Sequence, residues 1–386
     1  MIPYGRQDIS EDDIKAVIEI LNSDFLTQGP VTPSFEEAVA KYCNSKSAFA
    51  MNSSTSALHA ACFALDVSPG DAVWTSANTF AASSNCALYC GASVDFVDID
   101  PSTYNMCVKA LEEKLILAQK NNSLPKVVIP VHLCGQSCDM KRISELGKEY
   151  NFRIIEDASH AIGGSYNNNK IGSCEFSDIS VFSFHPVKII TTGEGGMALT
   201  NDKSCMKKLE LFRTHGITRN LDYMENNTDE PWYYEQIELG FNYRMTEIQS
   251  ALGKSQLTRL DNFIDARLKI VQMYKELLVD LPLKLPYCDP AIISSWHLYV
   301  VRVDREIVKK SHKDIFRELR SLGVGVNLHY IPVYLHPYYR KLGFQPGYCK
   351  EAEKYYSEAI SLPIYPGLSI KQQNEVASCI SKVLLK

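Results

Sequence analysis

Short apolar runs at 47–51, 72–76, 93–99, 127–131, 152–155, 179–184 and 196–200 punctuate the first half of this chain, and most are separated by stretches of helix-forming residues. Buried strands that alternate with helices predict a mainly parallel sheet with helices on both faces, because parallel neighbours need a crossover and a helix is the compact one. Ser10 and Asp13 stand at the spacing of a capping box, and Ile14, Val17, Ile18 and Leu21 follow at helical spacing. A second amphipathic segment runs over 34–43. Beyond Pro282, Pro286 and Pro290 the pattern changes to a strand at 296–303, a helix at 312–322, a strand at 324–328 and a helix at 351–360. The 386 residues are therefore expected to form a large α/β domain over 1–262, with an N-terminal arm, and a smaller α+β domain over 263–386. Residues 248–278 read as one long helix or a pair, and 214–238 as an irregular polar stretch outside the core.

The run 179–184 breaks into a loop that holds one lysine, Lys188, between His185-Pro186 and the glycines 193, 195 and 196. Pro and Gly cannot continue a ladder, so Lys188 sits just past a strand end. A lysine there is ordinarily an exposed loop residue; deprotonated by burial, it is an amine nucleophile toward an aldehyde. Three other strand ends carry comparable features. Ser54, Thr55 and Ser56 open a helix after the run 47–51, which is either a plain N-cap or a phosphate cradle. Phe80 follows the run 72–76 and is either core or a platform for a flat ring. Asp157 closes the run 152–155 and either caps a helix or holds a ring nitrogen protonated. His160 and His185, each read alone, are structural histidines; their places beside Asp157 and Lys188 raise them. The ordered set supplies what pyridoxal phosphate needs: phosphate cradle, stacking face, pyridinium partner and amine.

The net charge of −5 gives no footprint for nucleic acid or an anionic membrane, and no apolar run reaches the length of a spanning helix. Residues 1–13 are polar and acidic, unlike a signal segment, and a cytoplasmic location is expected. The twelve cysteines lack CxxC pairs and zinc-finger histidines, so they read as reduced, with no metal site. No G-x-G-x-x-G lies between a strand and a helix, which disfavours a nicotinamide-dependent oxidoreductase.

Asn-Ser-Ser-Thr-Ser-Ala-Leu58, Glu-Asp-Ala-Ser-His160, Ser-Phe-His-Pro-Val-Lys188, Gly-Glu-Gly-Gly196, Arg-Thr-His-Gly216 and Asn-Tyr-Arg-Met-Thr-Glu-Ile-Gln249 together resemble the DegT/DnrJ/StrS sugar aminotransferases, within the fold-type I pyridoxal phosphate enzymes. The resemblance spans nearly the whole chain. Asp-Ala-Ser-His160, the histidine before Lys188, and Asn327-Leu-His-Tyr-Ile-Pro-Val-Tyr334 are most similar to the subgroup of pseudaminic acid biosynthesis, as is Ser-Trp-His-Leu-Tyr299. The resemblance implies transfer of an amino group from L-glutamate to C4 of a UDP-4-keto-6-deoxy-N-acetylhexosamine, giving UDP-4-amino-4,6-dideoxy-N-acetyl-β-L-altrosamine. It implies that Lys188 forms a Schiff base with the coenzyme, that Asp157 pairs with the ring nitrogen, and that His185 flanks the lysine. His160 and Phe80 would line the ring, and Ser183 with Ser54, Thr55 and Ser56 would take the phosphate. Asn242 and Arg244 would cross a homodimer interface into the neighbour's site. Tyr4, the loop of Asp24, Phe25, Leu26 and Thr27, and His329 and Tyr330 would line the nucleotide-sugar cleft. Two other outcomes stay open: another nucleotide 4-keto sugar, of D-bacillosamine or perosamine type, or a non-catalytic ligand sensor. A family dehydratase would carry histidine in place of Lys188.

Overall fold

The computed structural model describes residues 1–226, 228 and 230–385. The first strands are β1 (Ser47–Met51), β2 (Ala72–Ser76), β3 (Ser93–Val97), β4 (Val127–Ile129) and β5 (Arg153–Asp157). After the two-residue strands β6 (Ser165–Tyr166) and β7 (Asn169–Lys170) come β8 (Ile179–Ser183) and β9 (Gly196–Thr200). Seven of them form one sheet in the order β1-β9-β8-β5-β4-β2-β3. The five strands from β8 to β3 are parallel to one another, while β9 runs antiparallel to both β8 and β1. The sheet is thus mixed and mostly parallel.

Side chains alternate along a strand, and here neighbours feed two different cores. Val73, Val127 and Ile155 pack with α3 (Ser54–Ala64), α4 (Ala82–Tyr89) and α7 (Lys203–Arg213), whereas Trp74, Val128 and Ile154 pack with α5 (Val108–Lys120) and α6 (Met140–Tyr150). Phe182, Met197 and Leu199 pack instead with Phe35 and Val39 of α2 (Val31–Cys43) and with Leu260 and Phe263. The N-terminal helix α1 (Glu11–Leu21) has the expected capping box between Ser10 and Asp13.

Helix α2 starts three residues before the sequence-based expectation. Its first N–H groups, those of Val31 and Thr32, donate to the buried carboxylate of Glu247 at 2.7 and 3.0 Å, a cap from a remote residue that local sequence does not reveal. Residues 248–278 form a pair, α8 (Glu247–Leu257) and α9 (Leu260–Leu278), and the polar stretch 214–238 holds a small ladder of β10 (Ile217–Thr218) and β11 (Glu235–Gln236).

Leu260, Phe263 and Ile264 of α9 pack into the large-sheet core, and Ile270, Val271, Tyr274 and Leu278 into another core built by Ile2 and residues further along the chain. There β12 (Leu283–Lys284), β14 (Tyr299–Val303) and β15 (Ala359–Leu362) form a three-stranded sheet, and β13 (Ile292–Ile293) pairs with β6. The helices here are α10 (His312–Ser321), α11 (Pro337–Lys341), α12 (Lys350–Glu358) and α13 (Ile370–Leu384). Two expectations are corrected. The helix expected over 351–360 stops at Glu358, because Ala359 to Leu362 pair antiparallel with β14 and are buried at every position. No strand forms over 324–328: only isolated bridges tie Val324 to Ile2 and Asn327 to Ser361, and the Arg320 guanidinium occupies the Val326 carbonyl. The bridge to Ile2 lays the N-terminal arm along this region, and Ile364 N–H donates to the Tyr4 carbonyl at 3.0 Å, which delivers Tyr4 to the site.

Among the described residues no helix is long and apolar enough to cross a membrane.

Candidate active site

A cavity of about 390 Å³ opens at the carboxyl ends of the parallel strands, where open α/β sheets bind ligands. Lys188 reaches it from the loop that joins β8 to β9. That loop is closed by Phe184 N–H on the Gly195 carbonyl and Thr192 N–H on the Phe184 carbonyl, with Gly193 at φ +81° making the turn. Ile189 and Ile190, next to the lysine, are buried in the α2 and α9 core; anchors of this kind contribute about 1.5–3 kcal/mol each. Sequence thus pins the lysine from behind by two apolar residues and leaves its amine to the cavity.

Burial lowers the Lys188 pKa to about 8, with Asp157 opposing the shift. The fraction of neutral amine at pH 7 is then roughly 300 times that of an ordinary lysine. Since the neutral form is the nucleophile, acylation of Lys188 in coenzyme-free protein is expected to rise with pH to a half-maximum near 8. Competitive acetylation with a mass-spectrometric readout measures this, and a half-maximum near that of the surface lysines would contradict it. The linkage has a matching sign: between about pH 8 and the unfolded value of 10.5 the unfolded chain holds the extra proton, so this group's contribution to stability rises with pH.

Asp157 ends β5 and is 5% exposed. Its carboxylate accepts Ser83 Oγ–H at 2.6 Å and Ser159 N–H at 3.1 Å, so it is held in place by α4 on one side and by its own turn on the other. His160 is buried too. Its Nδ1 accepts the Cys134 N–H at 3.3 Å, which leaves the ring proton on Nε2, 3.2 Å from the Tyr330 hydroxyl. Burial, then the Lys188 and His329 charges, hold His160 well below its usual pKa, so the ring stays neutral. His329, bonded through Nδ1 to Ser361 Oγ at 2.8 Å, is lowered by burial to about 4. The Tyr330 N–H is fixed by Asn78 Oδ1 at 2.9 Å.

At the other end of the cavity α3 begins. Ser53 caps it and takes the Ser56 N–H at 3.1 Å, while the N–H groups of Ser54 and Thr55 have no partner among the described residues. Gly196 lies against this turn, and a Cβ there would fall on the backbone of Ser53 and Ser54. Two free N–H groups at a helix start, with Ser183 beside them, suit a phosphate. Phe80, 61% exposed, offers a ring face. Amine, carboxylate, ring face and anion cradle therefore converge on one cavity, and these residues fit pyridoxal phosphate.

Of the residues singled out in the sequence, Tyr4, His185, His329 and Tyr330 also line this cavity. Ser56 does not: its N–H and hydroxyl are spent within the turn, on Ser53 and Asn52. Asp24, Phe25, Leu26 and Thr27 form an exposed loop outside it, tied to α8 by the Glu247 N–H on the Leu26 carbonyl at 3.0 Å. Asn242 and Arg244 also lie outside it, in bridges to Thr214 and Met51. Sequence reasoning gave no site role to Ser83, Ser159 and His297, each of which touches the site; Ser159 and His297 stand inside the motifs Asp-Ala-Ser-His160 and Ser-Trp-His-Leu-Tyr299, and nothing local marks Ser83. A larger open hollow of about 690 Å³ near Asp100, Asn105 and Tyr166 holds no comparable set. The Asn105 amide there is bonded to the Gln136 and Ser137 carbonyls, and the Tyr166 hydroxyl to Asp139.

The model of the DegT/DnrJ/EryC1/StrS aminotransferase family matches residues 7–381. A UDP-4-amino-4,6-dideoxy-N-acetyl-β-L-altrosamine transaminase of Campylobacter jejuni is 36% identical over 100% of this chain and 98% of its own. A GDP-perosamine synthase of Caulobacter vibrioides is 35% identical over 98% of this chain and 97% of its own. Among solved structures, Helicobacter pylori PseC, an aminotransferase involved in the biosynthesis of pseudoaminic acid, superposes with a TM-score of 0.90 at 31% identity, covering 100% of this chain and 99% of that one. By its sheet, its cavity and these likenesses, the chain belongs to the DegT/DnrJ/EryC1/StrS family of pyridoxal phosphate-dependent sugar aminotransferases.

Proposed function

We propose that this enzyme moves the amino group of L-glutamate to C4 of a UDP-4-keto-6-deoxy-N-acetylhexosamine, giving UDP-4-amino-4,6-dideoxy-N-acetyl-β-L-altrosamine. The observation that carries the transamination is the buried Lys188, whose amine shares one cavity with Asp157 and the open start of α3. The Campylobacter jejuni relative and the likeness to PseC support the choice of sugar.

When bound, pyridoxal phosphate supplies an aldehyde carbon and a ring that withdraws electrons from the carbon under attack. The chain's own residues do the rest. The N–H groups of Ser54 and Thr55, with Ser183, hold the phosphate; Asp157 keeps a proton on the ring nitrogen; Phe80 and His160 fix the ring plane. Lys188 Nζ is neutral often enough near pH 8 to take the α-proton of L-glutamate, and in the second half-reaction it places a proton on C4 of the sugar. His185 lines the mouth beside it, and Tyr4, His329 and Tyr330 border the space left for the sugar.

We read the enzyme as a homodimer. Phe25, Leu26, Trp232 and Leu239 are exposed apolar side chains of the kind a partner covers, and a second copy would bring Asn242 and Arg244 to the cavity's open side. A cytoplasmic location accords with twelve unpaired cysteines. The perosamine-type reading is kept because the Caulobacter vibrioides relative is nearly as similar. Product identification after incubation with L-glutamate and either a UDP-linked N-acetylated or a GDP-linked 4-keto-6-deoxy sugar separates the two; turnover of the GDP-sugar alone would overturn the first.

A further inference from the structure

The cavity contains an imidazole that neither the coenzyme nor the amino donor accounts for. His297 is 4% exposed and stands against His160, with ring centroids 4.4 Å apart at 53°. Among the described residues neither of its ring nitrogens has a hydrogen-bond partner, and Nδ1 is wholly enclosed. A buried polar group left unpaired in a cavity wall is unfavourable, and a ligand atom can complete it.

The segment that carries it is held firmly. The Arg267 guanidinium, itself buried and without an acidic partner among the described residues, donates to the carbonyls of Trp296, His297 and Ile364 at 3.1, 3.2 and 3.3 Å. Ser295 Oγ–H donates to the His160 carbonyl at 2.8 Å. Burial and the surrounding positive charges, Lys188 and Arg267 among them, keep His297 neutral. Nδ1 is enclosed with no acceptor beside it, and a buried N–H left without an acceptor is rarer than an unpaired buried lone pair, so Nδ1 carries the lone pair. The single ring proton then rests on Nε2, the outer nitrogen.

We propose that His297 is a substrate-positioning residue, which presents Nε2–H to an oxygen of the bound sugar, be it hydroxyl, ether or carbonyl. This rests on reading the cavity as the place where the keto sugar meets Lys188.

The test uses the coenzyme-loaded enzyme and follows each half-reaction separately by coenzyme absorbance. His297→Phe keeps the bulk without a donor; His297→Gln places an amide nitrogen near the position of Nε2, and His297→Asn one near Nδ1. The Phe variant is expected to keep its coenzyme affinity and its reaction with L-glutamate, while kcat/KM for the keto sugar falls on the order of 10- to 100-fold. Gln is expected to retain more sugar turnover than Asn, and that order decides the matter even where the Phe variant does not fold. Sugar kinetics equal to the parent in every variant, equal losses in both half-reactions, or Asn outperforming Gln would each overturn the assignment. A parent enzyme inert toward L-glutamate would instead sink the underlying reading of the cavity.

Discussion

Lys188→Ala protein is expected to bind pyridoxal phosphate and to lose transamination by roughly 10³- to 10⁴-fold or more, with no loss of fold. Burial lowers the amine to about 8, while the neighbouring His160, His297 and His329 are held below their usual range. A base of much lower pKa removes a carbon-bound proton poorly, so these three histidines do not take over. The variant also relieves the folded state of an amine it holds in a desolvated place, and its melting temperature is expected to be no lower than the parent's. Steady-state turnover with L-glutamate, read beside a thermal melt, measures both. Residual activity within tenfold of the parent in a folded variant would reassign the proton transfer to another side chain.

Asp157→Asn carries the second large effect. The substitution conserves shape, and Ser83 and Ser159 remain to hold the side chain, but the negative charge is gone. A close pair of unit charges at an intermediate dielectric is worth about 4 kcal/mol, which corresponds to roughly 10³-fold in rate when the ring must stay protonated for the reaction to proceed. Turnover should fall by about that factor while coenzyme content is nearly kept, because the α3 start and Lys188 are untouched. Ser83→Ala, which removes one of the two hydrogen bonds that aim the carboxylate, should cost about tenfold. Rates and bound coenzyme, measured together, separate these outcomes; a Ser83→Ala loss as large as that of Asp157→Asn would mean that aim rather than charge governs the site.

Much of the fold was legible because strand burial writes itself into sequence as short apolar runs. Residues 47–51, 72–76 and 196–200 read as strands and are strands, with the bounds expected. Lys188, Asp157, Phe80 and the Ser54-Thr55 turn were legible for a related reason: each lies at a strand's last residue or within five residues beyond it, so predicting the strand end predicts the residue's address. What escaped was non-local. The start of α2 depends on Glu247, more than two hundred residues away, and the missing strand at 324–328 depends on Arg320 occupying a ladder carbonyl. Ser83 shows its purpose only once α4 is laid beside β5, and His297 only once the segment before β14 is packed against His160. The helix over 351–360 was overextended because pairing with β14 outweighs the local preference of Ala359 and Ile360. Residues 24–27, 242 and 244 keep company with the surface of a single chain rather than with its cavity, which is why a second copy enters the proposal.

The proposed chemistry depends above all on a covalent link between this chain and its coenzyme through one amine. Enzyme loaded with pyridoxal phosphate, reduced with borohydride and digested, should yield a single modified peptide with the pyridoxyl group on Lys188. Modification spread over surface lysines, or an unmodified Lys188 in protein that has retained its coenzyme, would contradict it.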